Sequence, residues 1–356
     1  MPRAIAFYLP QYYPTPENDL WWGKGFTEWT NVGRAKPLFQ GHYQPRVPAD
    51  LGYYDLRIPE VRLQQAALAR EAGIEGFCYW HYWFAGRRLL DRVFSEVLES
   101  REPDFPFCLC WANHSWKAKT WDPNIPDKML MEQTYPGRQD YEAHFRAMLP
   151  AFKDKRYMTN RDGRLIFAIF DPGAIPDMQE MSDIWNGLAK ENGLPGFLFL
   201  GFAQGVENIK KAERPGIDKV VYDAMFDAVY INNERWKERI KAKYRTVMNL
   251  PNPLDYKSYT KIALSQFKSY RRTIHCIDPN FDHSPRSGAK GPILHNSSPE
   301  KWEFFCKEAA KLVIESDDEQ FIFIKSWNEW GEGNYLEPDL RYGTKYIKAT
   351  KRGLFG

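Results

Sequence analysis

Two glutamates three residues apart carry the clearest chemical pattern in the chain. They stand in Ser326-Trp-Asn-Glu-Trp-Gly-Glu-Gly-Asn-Tyr-Leu-Glu-Pro338, directly after the apolar run Phe321-Ile-Phe-Ile324. On a tight turn Glu329 and Glu332 can reach one cavity, and paired carboxylates are the working parts of glycoside hydrolysis. One of them must hold a proton near neutral pH, which burial and a neighbouring negative charge favour. Trp327 and Trp330 offer an apolar wall for it. Asn328 offers an amide that orients a carboxylate, binds a sugar hydroxyl or simply forms the turn. The competing reading has one Glu capping a helix or pairing with an Arg. Glu337 is expected to shape the loop.

Three further clusters fall where apolar runs end, and a fourth lies in the first long loop. Gly76-Phe-Cys-Tyr-Trp-His-Tyr-Trp-Phe84 sets His81 among aromatics, Trp80 included. Such faces suit the C–H faces of sugar rings, and a His donates to hydroxyls. Cys110-Trp-Ala-Asn-His-Ser-Trp116 adds Trp111, Asn113 and His114. Gly25-Phe-Thr-Glu-Trp-Thr-Asn31 adds Glu28 and Trp29, and Tyr8 closes the first apolar run. Asp278-Pro-Asn-Phe-Asp-His-Ser-Pro-Arg286 adds Asp282 and Arg286, which either pair with each other or line the pocket.

These clusters need elements to bring them together. Strands are expected at Ala4–Leu9, Ile74–Trp80, Phe107–Trp111, Leu165–Phe170, Phe197–Phe202, Lys219–Tyr222, Thr273–Ile277 and Phe321–Lys325. Most lack alternation, as parallel strands buried on both faces do. Helices are expected at Pro59–Ala72, Leu89–Ser100, Gln139–Phe152, Met178–Asn192, Pro299–Ser316 and Tyr342–Lys351, with Pro59 near a start and Ser298 as a cap. Eight strands and intervening helices predict one α/β domain over residues 1–356, a (β/α)8 TIM barrel, whose active site belongs at the C-terminal ends of the strands. An open doubly wound sheet would carry a Gly-rich turn after its first strand, and Pro10-Gln-Tyr-Tyr-Pro14 has none. Two long loops, about 11–58 and 223–270, interrupt the pattern, the second partly helical around 233–243; long insertions are usually functional.

Composition excludes other classes. Hydrophobic residues at 43% and charged residues at 27% are those of a globular enzyme. A net charge of +3 on 49 basic and 46 acidic residues gives no nucleic-acid-binding face. No apolar run is long enough to span a membrane. The start, Met1-Pro-Arg-Ala-Ile-Ala-Phe-Tyr-Leu-Pro10, reads as a strand rather than a signal peptide. Five scattered cysteines predict buried thiols in a reducing cytoplasm, not a disulfide framework. Neither a metal site nor a cofactor is expected: ligand spacing, a phosphate loop and a nucleophile elbow are missing. The absent D-x-D pair weighs against a metal-dependent sugar-nucleotide transferase.

Taken together, these motifs resemble the WbsX family of polysaccharide-locus proteins, also called glycoside hydrolase family 99-like. The resemblance runs over nearly the whole chain. It rests on Trp22-Gly-Lys-Gly-Phe-Thr-Glu-Trp-Thr-Asn-Val32, Lys36-Pro-Leu-Phe-Gln-Gly-His-Tyr-Gln-Pro45, Gly76–Phe84, Phe105–Asn113 and Trp327-Asn-Glu-Trp-Gly-Glu332. The related family 99 enzymes are (β/α)8 endo-α-mannosidases and mannanases with a similar W-N-E-W-x-E-G motif. The resemblance implies a retaining reaction without a glycosyl-enzyme ester. Glu329 would assist the sugar's own 2-hydroxyl as an internal nucleophile, giving a 1,2-anhydro sugar, and Glu332 would be general acid, then base. The implied substrate is an oligosaccharide or polysaccharide, of bacterial surface or O-antigen type. The alternatives are a glycosyltransferase or transglycosylase of polysaccharide assembly, and a non-catalytic glycan-binding barrel. One departure stands out: many members read W-A-N-E where this chain has Trp111-Ala-Asn-His114.

Overall fold

The structure, a computed structural model, describes residues 1–118, 127–234, 236–316 and 319–356. Eight parallel strands close a barrel: β1 Arg3–Tyr8, β2 Gly76–His81, β3 Phe107–Trp111, β4 Leu165–Ile169, β5 Phe197–Gln204, β6 Lys219–Asp223, β7 Ile274–Ile277 and β8 Phe321–Ile324. Each lies within two residues of its expected bounds. Closure comes from β1, which pairs with β2 (Ile5 beside Gly76) and with β8 (Ala4 beside Ile322), so the sheet is not an open one. The strands are almost entirely buried because helices cover their outer face and aromatics fill the inside. Phe7 stacks on Trp80 at 4.8 Å and meets Phe202 and Phe323 edge-on or tilted, which plugs the barrel beneath its mouth.

The long helices are α3 Pro59–Ala72, α4 Arg92–Ser100, α5 Arg138–Phe152, α6 Met178–Glu191, α10 Tyr256–Ser269, α11 Pro299–Ser316 and α12 Lys345–Phe355. α3 starts on Pro59, whose fixed φ suits the first turn, and stops at Gly73 in the left-handed region (φ 80°). The first long loop is not irregular: it holds the two-turn helices α1 Pro16–Trp22 and α2 Glu28–Arg34. The short α7 Val206–Ala212 follows β5. The second long loop holds α8 Met225–Glu234 and α9 Trp236–Val247, and α10 belongs to the barrel wall; Arg235 lies outside the described residues. α10 carries two Tyr, one Thr and three Ser, poor helix formers. It folds because Tyr256, Tyr259, Ile262, Ala263 and Phe267 are buried against the barrel, and because the Asp255 carboxylate accepts the Lys257 N–H.

All five cysteines are free and buried. Among the described residues no helix is long and apolar enough to cross a membrane.

Candidate active site

A cavity of about 440 Å³ opens at the C-terminal ends of the strands. All eight connections feed it: Leu9 and Gln11 after β1, Trp80 and Tyr82 from β2, Ala112 and His114 after β3, Phe170 after β4, Gln204 from β5, Phe226 after β6, Phe281, His283, Arg286 and Lys290 after β7, and Lys325, Glu329 and Glu332 after β8. A second cavity, of about 630 Å³ over Asp171, Asn208 and Lys211, shares Phe170 and Gln204 with it.

Arg286 organises the floor. Its Nη1 donates to Glu332 Oε1 at 2.6 Å and its Nη2 to Glu329 Oε1 at 2.7 Å. Glu28, from α2, takes the remaining edge, with its Oε2 3.2 Å from Nε and 3.0 Å from Nη2. Three carboxylates thus share one guanidinium. Burial pushes the Glu329 carboxyl up; Arg286 opposes this, but the charges of Glu332 and Glu28 add to it, and the carboxyl titrates at about 8. Burial acts on Glu332 too, but Arg286, Lys325 and His283 outweigh it and hold that carboxyl below its usual range. The pair therefore has one protonated and one ionised member at neutral pH. The two glycines of the turn fit this crowding. A side chain on Gly331 would come within 2.5 Å of the Glu28 carboxylate and 3.1 Å of Arg286, and Gly333 has a φ of 57°.

The turn is held from behind. Asn328 clasps Leu9: Leu9 N–H donates to Asn328 Oδ1 at 2.7 Å, and Asn328 Nδ2 donates to Leu9 O at 3.1 Å. Tyr12 O–H donates to Asn328 O at 2.8 Å and accepts the Trp330 N–H at 2.9 Å. Trp330 stacks on Tyr335 at 3.7 Å. Its indole N–H donates to the buried Glu337 carboxyl at 2.6 Å, which also accepts from Tyr54 O–H at 2.9 Å and Gln65 Nε2 at 2.6 Å. Burial raises Glu337 to about 7 against these three donors. On the other flank the Asp282 N–H donates to Glu332 O at 2.6 Å, and its carboxylate accepts from Gln44 Nε2 at 2.6 Å. His42 Nε2 lies 2.8 Å from the same oxygen; its Nδ1 accepts the Leu38 N–H, so Nε2 carries the proton. Beneath Glu332, Lys325 Nζ pairs with Asp223 at 3.2 Å.

Of the residues singled out from sequence, Trp80, His114, Arg286, Glu329 and Glu332 line the cavity, and Glu28 reaches it through Arg286. The others are not among its lining residues. Tyr8 points at α3, its O–H on Gln65 Oε1 at 2.7 Å. Trp29 donates to Tyr54 O, and Trp111 to Trp83 O. Asn113 bridges the Asp171 backbone on both sides. His81 is buried against His144, Nε2 to Nε2 at 2.7 Å, and burial lowers it to about 3, with Arg88 adding to the effect. Trp327, Asn328 and Trp330 are buried supports. Asp282 does not pair with Arg286: it belongs to His42 and Gln44. Lys325, Gln204 and Phe226 were not singled out; each sits at a strand end or in a later helix, with no distinctive neighbour in sequence. Among the described residues no three His, Cys, Asp or Glu form a group able to hold a metal ion.

Known proteins share both sequence and architecture. The model of the family described as Glycosyltransferase WbsX matches residues 4–350. The chain belongs to the WbsX family. The uncharacterized protein WxcX of Xanthomonas campestris pv. campestris is 36% identical over 361 residues, which cover 98% of this chain and 49% of WxcX. The WbsX chain thus spans about half the length of the curated relatives it matches. Among solved structures, a glycoside hydrolase-like protein superposes with a TM-score of 0.61 at 13% identity, covering 99% of this chain and 94% of the other. The GH99 endo-α-mannosidase of Bacteroides thetaiotaomicron, in complex with bis-tris-propane, gives 0.57 at 14% identity, covering 99% and 96%. At these identities the likeness shows a shared barrel fold for this WbsX member.

Proposed function

We propose that the chain is a retaining glycosidase that cleaves a bacterial surface-type glycan with Glu329 and Glu332. One observation carries the reading: two carboxyls bound to one guanidinium face an open cavity with opposite protonation preferences. General acid–base catalysis needs such a pair. In the order implied by the resemblance, Glu329 takes the proton of the 2-hydroxyl as O2 bonds to C1. The bond from C1 to the leaving oxygen breaks, and Glu332 protonates that oxygen. Water then adds to C1 of the anhydro sugar with the proton transfers reversed.

The pair is loaded the other way, with the proton on Glu329 and Glu332 ionised by Arg286. The implied order therefore requires substrate to draw Arg286 off Glu332, which frees that carboxyl to rise under burial. Arg286 is a third participant on this reading, a lock on the acid until the sugar arrives.

The test is release of new reducing ends from α-mannosides and bacterial surface polysaccharides by the purified chain. Wild type should release them without any nucleotide sugar, and Glu332→Gln should not. An acceptor hydroxyl in place of water would give transfer from the same intermediate, which fits the name of the family. A strict need for a nucleotide-sugar donor would overturn hydrolysis in favour of a transferase. Unchanged turnover in Glu332→Gln would remove the pair from the chemistry.

A further inference from the structure

Between β6 and β7 the chain leaves the barrel as α8 and α9. Along α9, Trp236, Ile240, Tyr244 and Val247 follow at spacings of four, four and three, one stripe of a helix. On a barrel helix that stripe faces the core. Here it faces solvent, with exposures of 70%, 63%, 61% and 77%. No residue of α9 is buried. The half-buried positions are Glu238, Ala242 and Arg245, on the opposite side, where Arg245 Nη1 donates to Asn252 Oδ1 at 2.9 Å. The amphipathic helix is mounted with its apolar face outward. Tyr230 on α8, and Met248 and Leu250 after α9, are exposed as well. Single exposed apolar side chains are ordinary, but a contiguous row marks an interaction surface.

The charges choose the partner. α9 carries Lys237, Arg239, Lys241, Lys243 and Arg245 against Glu238, five positive and one negative, a net +4. At about 100° per residue, Lys237 and Lys243 border the apolar stripe on its two sides. Lys241 pairs with Glu238 at 2.8 Å. Lys237, Arg239 and Lys243 have no carboxylate at ion-pair distance among the described residues. A second copy of the chain would set +4 against +4 across a two-fold contact.

We propose that α9 is a membrane-surface anchor that lays its Trp236–Val247 stripe into the interface of an anionic lipid bilayer, with its lysines and arginines on the headgroups. Trp and Tyr favour that depth, and each nearby cation adds to binding at a negative surface. α8 ties the anchor to the cavity: Phe226 lines the cavity floor's rim, and Tyr230, one turn on, is exposed beside the anchor helix. Resting on the active-site reading above, the glycan would be one presented at a membrane surface, as a lipid-carried chain is.

The test is flotation of the intact chain with vesicles of phosphatidylcholine mixed with phosphatidylglycerol, and of phosphatidylcholine alone. The chain should float with the mixed vesicles only, and salt should weaken it. Lys237→Glu and Lys243→Glu should each weaken binding about fivefold or more. Ile240→Glu should abolish it with the melting temperature unchanged, and should leave cleavage of a soluble glycan intact. That last readout separates failure of the anchor from failure of the active site. The proposal falls if the folded chain stays with the soluble fraction in both mixtures, or binds both equally and keeps doing so with Ile240→Glu. It also falls if the stripe instead supports self-association or capture of an acidic protein that Ile240→Glu removes.

Discussion

Glu329 and Glu332 accept from the two terminal nitrogens of one guanidinium, at 2.7 and 2.6 Å, so neither carboxyl can change its charge without the other responding. The pair titrates as a unit. That coupling makes the division of labour between them measurable.

A glycoside whose leaving group needs no proton separates the two roles. With the order proposed above, Glu332→Gln loses about 10²–10⁴-fold on a natural glycan but keeps most of its rate on an activated aryl glycoside. Glu329→Gln loses both. The opposite pattern would make Glu329 the acid, in keeping with the proton that burial favours on it.

Arg286→Met leaves Glu28, Glu329 and Glu332 facing one another without the guanidinium they share. Stability should fall by about 3 kcal/mol in chemical denaturation, as when one partner of a buried ion pair is removed. The Glu332 carboxyl, no longer held low, should titrate at higher pH, visible in its side-chain carbon resonance. Arg286→Lys keeps the charge but not the forked contact and should fall between the two. An unmoved Glu332 titration would show that Arg286 does not set its charge.

Glu337 gives a stability signature. Its folded carboxyl titrates at about 7, above its ordinary value, so the folded chain binds the extra proton. This contribution is full in acid and is lost as pH rises through about 7, at up to about 1.4 kcal/mol per pH interval for one proton. Glu337→Gln should flatten that part of the stability curve. If the slope between about pH 5 and 7 is unchanged, Glu337 is not the group that titrates.

The imidazole pair works in the opposite direction. Burial holds His81 at about 3 and His144 well below its ordinary value, so both are neutral in the folded chain. The unfolded chain takes up protons first as pH falls, and stability declines below about pH 6.5. His81→Phe should shift the acid unfolding midpoint to lower pH, read by circular dichroism. A midpoint that stays in place would mean other groups drive acid unfolding.

The barrel was legible because its strands are short apolar runs without alternation, separated by helical stretches. Glu329, Glu332 and Arg286 were legible because each lies just beyond a strand, where the fold must open. His81, Trp111 and Tyr8 satisfy the same positional rule, yet they face the outer helices. The side a strand-end residue takes depends on barrel tilt and register, which residue type does not reveal. Closeness in sequence left Asp282 either to pair with Arg286 or to line the pocket with it; it does neither and takes His42, 240 residues away. α9 read as a helix and nothing more, since an apolar stripe in sequence does not say whether it faces in or out.

The clasp between Leu9 and Asn328 joins residues 319 positions apart. The loop bearing both glutamates can therefore rest on its partner only once β8 lies against β1. A barrel left open between β1 and β8 would keep the cavity's other walls without that loop in place. Closure of the sheet and placement of the two carboxyls are thus a single event.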